Sequence, residues 1–364
     1  MAEEGLAKPV RLADLAKAAG VSKGTASNVF NRPAIVRQEV RQHVLDVARS
    51  IGYRGPDPKG RLLSAGKVNA IGVATTEELS YFFTDPFNRV LMTAIAESCG
   101  QQGVGISLVS AANSQELVWN IRNAVVDGFI LLCLEGDDKL IELSRERSIP
   151  FVALDVSKND QDISAIGVDN VAAAKAAAEY LAGLGHRRFA ILTMELGDGE
   201  TPSPITSARI GNALYQTTVD RLTGYLEGLR THGIDPAKVS VYETFNDADT
   251  VTDAMEALFS APIAPTAILA QSDRIALYAL DWLKKRNIPV PEQVSIIGFD
   301  GIPETINSQP ALTTVVQPIA EIGHKAVKIL LERQDIVVRE MMATELVIRD
   351  STAGPPIGCA MRWL

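Results

Sequence analysis

The stretch Arg11-Leu12-Ala13-Asp14-Leu15-Ala16-Lys17-Ala18-Ala19-Gly20-Val21-Ser22-Lys23-Gly24-Thr25-Ala26-Ser27-Asn28-Val29-Phe30-Asn31 decides how this chain is read. Leu12, Leu15, Ala16 and Ala19 recur at helical spacing and make one apolar face. Gly20 stands where a glycine ends a helix, Val21 fills the gap, and Ser22 is a good N-cap for a second helix. In that helix Thr25, Ala26 and Val29 face inward, while Lys23, Gly24, Ser27, Asn28 and Asn31 face out. A small, polar, hydrogen-bonding outer face suits a major groove; on shape alone it suits an ordinary helical hairpin equally well.

A third helix is expected from about Val36 to Ile51, where Val40, Val44, Val47, Ala48 and Ile51 form a stripe that closes a three-helix core. Charge separates this head from the rest. Residues 1–67 hold 12 Lys and Arg against 6 Asp and Glu, and the remainder holds 23 against 38, within a chain of 364 residues and net charge −9. A basic head on an acidic body points to nucleic-acid binding confined to the head.

Ser22-x-x-Thr25-x-Ser27-x-Val29-x-Asn31 resembles the recognition-helix signature of the LacI/GalR family of bacterial regulators. Asp14-Leu15-Ala16-x-x-Ala19-Gly20-Val21-Ser22 resembles that family's first helix and turn, and Gly52-Tyr53 closes the head at the matching distance. The resemblance implies DNA contacts from Leu12, Ser22, Lys23, Gly24, Thr25, Ser27, Asn28, Asn31 and Tyr53. It also implies a hinge helix in the Gly/Pro-rich linker, with Leu63 as the wedge into the minor groove. Gly60 and Ser64 depart from the family there, and Leu62 and Leu63 could instead cover the core.

From Asn69 the pattern becomes α/β. Apolar runs at Ala70–Ala74, Val104–Val109, Gly128–Leu134, Phe151–Asp155, Phe189–Thr193, Thr266–Ala270 and Val294–Phe299 alternate with helical stretches such as Asn88–Gln102 and Val171–Leu184. Such runs suit parallel strands buried on both faces, in a doubly wound fold too long for one sheet. The resemblance implies a periplasmic-binding-protein-like core of two lobes that the chain crosses three times. The expected organisation is a helix-turn-helix head (1–54), a hinge (55–67), lobe 1 (68–166 with 317–340), lobe 2 (167–316 with 341–350) and a tail (351–364).

Asp155 and Asp300 end apolar strands, where a carboxylate either faces the crevice or caps the next helix. Arg221 is a multi-donor clamp for hydroxyls or anions, and Ser272 follows a strand. The resemblance places Asp155, Arg221, Ser272, Asp300 and Gln317 at effector-binding positions. Asp85-Pro86-Phe87-Asn88 resembles a motif that brings Phe87 and Asn88 to the pocket. Two aspartates and an arginine suit a neutral polyhydroxylated ligand, a sugar or a cyclitol such as inositol, better than a phosphate. The segment Glu195–Thr218 is longer than in relatives; it reads as a surface loop or a flap, the plain loop being favoured.

The function expected is a DNA-binding regulator, most simply a repressor, acting as a homodimer on a palindromic operator under control of that effector. A sugar-binding transport protein is the alternative. The three cysteines make no metal spacing and no disulfide framework, and the sequence calls for no cofactor. No apolar run has membrane-spanning length and the N-terminus carries no apolar targeting core, so a cytoplasmic location is expected. No nucleophile elbow, phosphate loop or dinucleotide motif is present, and His43, His186, His232 and His324 read as surface or capping residues, so an enzyme is not expected.

Overall fold

The computed structural model describes residues 10–55, 67–75, 77–110, 114–132, 150–154, 163–197, 204–205, 207–332 and 336–356, with 142, 145 and 146. The chain divides into two compact units, Met1–Val68 and Asn69–Leu364.

In the first unit, α1 (Leu12–Ala18), α2 (Lys23–Asn31) and α3 (Gln38–Ser50) surround a core of Leu15, Ala19, Val29, Val44, Ala48 and Tyr53. The turn between α1 and α2 is a Schellman motif. Gly20 adopts φ +65°, Val21 N–H donates to Ala16 O at 3.0 Å and Gly20 N–H donates to Lys17 O at 3.3 Å. Ser22 then caps α2, its Oγ accepting from Thr25 N–H at 3.0 Å.

The second unit holds two six-stranded sheets. In chain order its elements begin with β1 (Ala70–Thr75), α4 (Tyr81–Thr84), α5 (Pro86–Gln102), β2 (Gly105–Ser110), α6 (Ser114–Asn123), β3 (Phe129–Leu131), β4 (Phe151–Leu154) and β5 (Ser164–Val168). Then come α7 (Asn170–Gly183), β6 (Phe189–Thr193), α8 (Ser207–Gly211), α9 (Gln216–Thr231), β7 (Ser240–Glu243), α10 (Ala248–Ser260), β8 (Ala267–Ala270) and α11 (Asp273–Lys285). The chain continues through β9 (Ser295–Asp300), α12 (Glu304–Asn307), β10 (Thr313–Val316), α13 (Ile319–Glu332), β11 (Arg339–Met342) and β12 (Glu345–Val347).

The first sheet runs β11-β5-β4-β3-β1-β2, all parallel. The second runs β12-β10-β9-β8-β6-β7, parallel except for the edge pair β10–β12. Strands β3, β6, β8 and β9 are buried at every residue, as expected of a sheet covered on both faces. The chain changes sheet after β5, after β10 and after β11. Met341 and Met342 stay on the first sheet through pairing with Gly167 and Val168, past the change of lobe expected at 340. In each sheet the order reverses beside the first strand, so the C-terminal ends of β1 and β6 open onto a crevice.

Some elements lack the expected signal. Strands β7, β11 and β12 are short, partly exposed and carry no clear apolar run, while β5 is buried from Ala165 to Val168 but its run is only four residues long and contains Gly167. His186, read as a surface or capping residue, is fully buried. Its ring meets Thr266 Oγ1 at 3.0 Å, Ser295 Oγ at 3.2 Å and Ala353 O at 2.8 Å, tying the chain's last described segment to the start of β9 and to the residue before β8. Burial holds its pKa below the ordinary imidazole range. No helix among the described residues is long and apolar enough to cross a membrane.

Candidate nucleic-acid interface and effector cavity

On the head, Lys23, Gly24 and Asn31 are exposed, and Ser27 and Asn28 are partly exposed on the same helix. Asn31 Nδ2 donates to Ser27 Oγ at 3.1 Å, so these two side chains are set together along the outer face. Thr25 is half-buried and shares a 2.8 Å bond with Ser22 Oγ. Leu12 packs partly against the core. Tyr53, expected among the DNA contacts, is 8 % exposed; its ring lies edge-on to Phe30 with centroids 5.6 Å apart. The ring's place is therefore in the core, and burial pushes its phenol pKa up. Leu63 lies outside the described residues.

In the second unit a cavity of about 240 Å³ lies between the two sheets. Its walls come from the C-terminal ends of strands: Leu154 from β4, Val168 from β5, Met194 after β6, Ser272 after β8, Asp300 from β9 and Gln317 after β10. Phe87, Asn88 and Arg221 also line it. Of the seven expected effector residues the cavity thus gathers six, and Asp155 lies outside the described residues.

The polar floor is built around Arg221. Its Nε donates to Asn170 Oδ1 at 2.9 Å, and its Nη1 donates to Gln271 O and to Asp300 Oδ1 at 3.4 Å. The guanidinium lies 3.8 Å above the Phe299 ring, a stacked cation–π arrangement. Gln317 Nε2 donates to the same Asp300 oxygen at 2.8 Å. Burial drives the Asp300 pKa well above the usual carboxylate range; Arg221 opposes this, and the charges of Asp273 and Asp85 add to it.

Asp300 has φ +126°, a conformation that side chains disfavour. Neighbouring groups hold it there. Gly301 N–H and Ile302 N–H both donate to Asp273 Oδ2, at 2.6 and 2.9 Å, while Gln317 N–H donates to Asp300 O at 3.0 Å. A Cβ on Gly301 would fall 2.8 Å from Val316 Cγ1, so only glycine fits the next position. Asp273 is fully buried, and burial pushes its pKa up to about 6 against the bonds from Thr314, Ile302 and Gly301.

Reading the residues one by one missed several cavity walls. Asp85 and Asn246 border it, as do Glu195 and Tyr215 through Thr218. The last five belong to the segment 195–218, whose composition reads as a plain surface loop. Its described part instead contains α8 and the start of α9, and it is anchored. Arg209 pairs with the buried Glu243 at 2.7 Å, Leu196 N–H donates to Glu243 Oε1 at 2.8 Å, and Leu214 N–H donates to Leu196 O at 2.6 Å. The signal available was a lone arginine inside a polar insert, which names no partner. Among the described residues no group of three or more His, Cys, Asp or Glu could hold a metal ion.

Residues 11–55 match the family model for bacterial regulatory proteins of the lacI family, and residues 178–352 match a periplasmic binding protein-like domain. The HTH-type transcriptional regulator Rv3575c of Mycobacterium tuberculosis is 38% identical over 95% of this chain and 97% of its own length. The chain belongs to the LacI family of bacterial transcriptional regulators. Among solved structures, the Lac repressor bound to ONPG in its repressed state is 25% identical, with TM-score 0.74 over 95% of this chain and 100% of that one. A complex of the transcriptional regulator CelR with cellobiose is 25% identical, with TM-score 0.67 over 94% and 99%. This LacI-family protein is thus a DNA-binding transcriptional regulator, with the helical head as its DNA-binding domain and the two-sheet core as its periplasmic-binding-protein-like domain.

Proposed function

We propose that this regulator is a homodimeric repressor whose hold on a palindromic operator is controlled by a neutral polyhydroxylated ligand, a sugar or cyclitol, bound between the lobes. The observation that carries the reading is the Arg221–Asp300–Gln317 cluster in the interlobe cavity. Arginine and glutamine N–H groups donate to ring or hydroxyl oxygens, and a carboxylate accepts from hydroxyls. Glu77, Asp85 and Glu195 also border the cavity, so a phosphate or carboxylate ligand would meet like charge. The volume lies below the roughly 300–1,000 Å³ typical of drug-sized ligand sites, which favours a single ring. Cellobiose in the related CelR complex, though it has two rings, is likewise a neutral polyhydroxylated ligand.

In the head, Lys23, Gly24 and Asn28 would read base edges, Asn28 being suited to a bidentate bond with adenine. Ser22, Thr25, Ser27, Asn31 and the Leu12 backbone would hold phosphates. A rearrangement of the lobes on ligand binding would then bias the paired heads toward or away from the operator. A transport role does not call for a helix-turn-helix head.

The test has two stages. Selection from a random duplex library yields the operator, and a thermal-shift screen of sugars, cyclitols, nucleosides and sugar phosphates then finds the ligand. A neutral polyol that raises the melting temperature and changes operator affinity is the expected result. A response confined to nucleosides or phosphates would overturn the ligand class, and failure to select any sequence would overturn the regulator reading of the head.

A further inference from the structure

Asp85 divides its two carboxylate oxygens between two jobs. Oδ1 accepts from Asn88 N–H at 2.9 Å and so caps α5 in the lobe of the first sheet. Oδ2 faces the other lobe, where Asn246 Nδ2 donates to it at 3.4 Å and Arg274 Nη1 lies 3.7 Å away. Asn246 also donates to Tyr81 OH at 3.4 Å, a second contact across the cleft. On the far side Asn246 Oδ1 accepts from Ser272 Oγ at 2.6 Å, and that same Oγ caps α11 by accepting from Ile275 N–H at 3.1 Å. The chain of contacts therefore starts at one helix N-terminus and ends at another, on opposite lobes.

Its surroundings make it matter. Asp85 is 4 % exposed, so its attraction to Arg274 is screened less than that of a surface pair. The neighbouring cross-lobe pair, Arg89 with Glu304, is about half exposed on both sides and counts for little. Burial raises the Asp85 pKa, while the Asn88 amide and Arg274 pull it back. Tyr81, Asp85, Asn246 and Ser272 all border the cavity, so a ligand seated against this wall competes for the bonds of the bridge.

We infer that Asp85, Asn246 and Arg274 form a strut across the cleft that sets how far the two lobes are closed before any ligand binds. The inference rests on reading the cavity as the effector site. An effector hydroxyl at this wall of the cavity exchanges with the Asn246–Asp85 bond, and the strut fixes the resting position from which the regulator responds. Asp85 is thereby a positioning residue in two senses, holding the lobes together and setting the α5 N-terminus that carries Phe87 and Asn88 to the cavity.

The distance measurement needs neither effector nor operator. Spin labels are placed through Gln101→Cys and Lys284→Cys, exposed positions on opposite lobes, in the full-length chain carrying Cys99→Ala, Cys133→Ser and Cys359→Ser. Double electron–electron resonance then reports the interlobe distance. Asp85→Asn keeps an N-cap but removes the charge, and Arg274→Met removes the cation at a partly exposed position. Each is expected to move the main population to longer distances, and the double variant no further than the larger single. An unchanged distribution in Arg274→Met, or shifts that simply add in the double variant, would overturn the strut. Operator selection with the same variants is scored separately: loss of the strut leaves a selectable operator, whereas failure of the regulator reading would show in the parent chain.

Discussion

Arg221 shows how much one side chain carries. Its planar fork reaches Asn170, Gln271 and Asp300 while its face rests on Phe299. Lysine has one charged nitrogen and no plane, so it can neither stack nor span these partners. Arg221→Lys is therefore expected to remove the ligand-induced thermal shift while leaving operator affinity intact, read by calorimetry and fluorescence anisotropy; a normal ligand response would refute the cluster's role. In the head, Asn28→Ala should narrow the discrimination between operator and random DNA by about 1–3 kcal/mol, the worth of one bidentate contact, and leave the salt-sensitive nonspecific binding unchanged. Asp273 gives a pH signature. Its folded pKa of about 6 lies above its ordinary value, so between the two the folded protein holds the extra proton. Stability from this group is present at the acid end of that window and is lost as pH rises through about 6. The melting-temperature difference between wild type and Asp273→Asn should accordingly change across that window and flatten above it.

Two glycines govern the helix pair that places Arg221. A Cβ on Gly224 would meet Val171 O at 2.2 Å, and one on Gly228 would meet Lys175 O at 2.6 Å. Opposite them α7 offers Ala173, Ala174, Ala177 and Ala178, so α7 and α9 approach backbone to backbone. Neither obstruction is a flexible side-chain tip; the helices must separate to admit a methyl. Gly224→Ala should cost about 1–3 kcal/mol of stability and weaken ligand binding together, because the shift propagates to Arg221 three residues away. Denaturant titration and ligand titration of the same preparation check this; a stable variant with normal ligand affinity would show the packing to be slack. The segment before α9 is held differently, by the buried Arg209–Glu243 pair. Arg209→Met leaves Glu243 without its cation, so hydrogen exchange of the Tyr215–Thr218 amides should accelerate more than that of β6.

For the whole molecule, function lies in two units of opposite character, a basic head and an acidic core. Binding by the head should weaken steeply with salt, since each neutralised phosphate releases counterions. Ligand stabilisation belongs to the core: at about 100 times its dissociation constant a ligand adds about 2.7 kcal/mol. Differential scanning of the intact protein should therefore show the ligand moving the core transition and the operator acting through the head.

Local chemistry was enough to expose the head. A glycine in the left-handed region, a serine cap and an apolar stripe act over a few residues, and Gly20, Ser22 and the α1–α2 face are all legible in the chain. The same holds for the strands buried on both faces, whose apolar runs have no other use. The cavity depended on contacts between residues far apart in sequence. Arg221 meets Asp300 across 79 residues, Asp85 meets Asn246 across 161, and Glu243 meets Arg209 across 34. A polar side chain taken alone does not show whether it caps a helix, faces water or faces a partner from another strand. That choice falls to whichever partner the sheet order brings within hydrogen-bonding distance, because only a pairing that repays the desolvation of both groups survives burial.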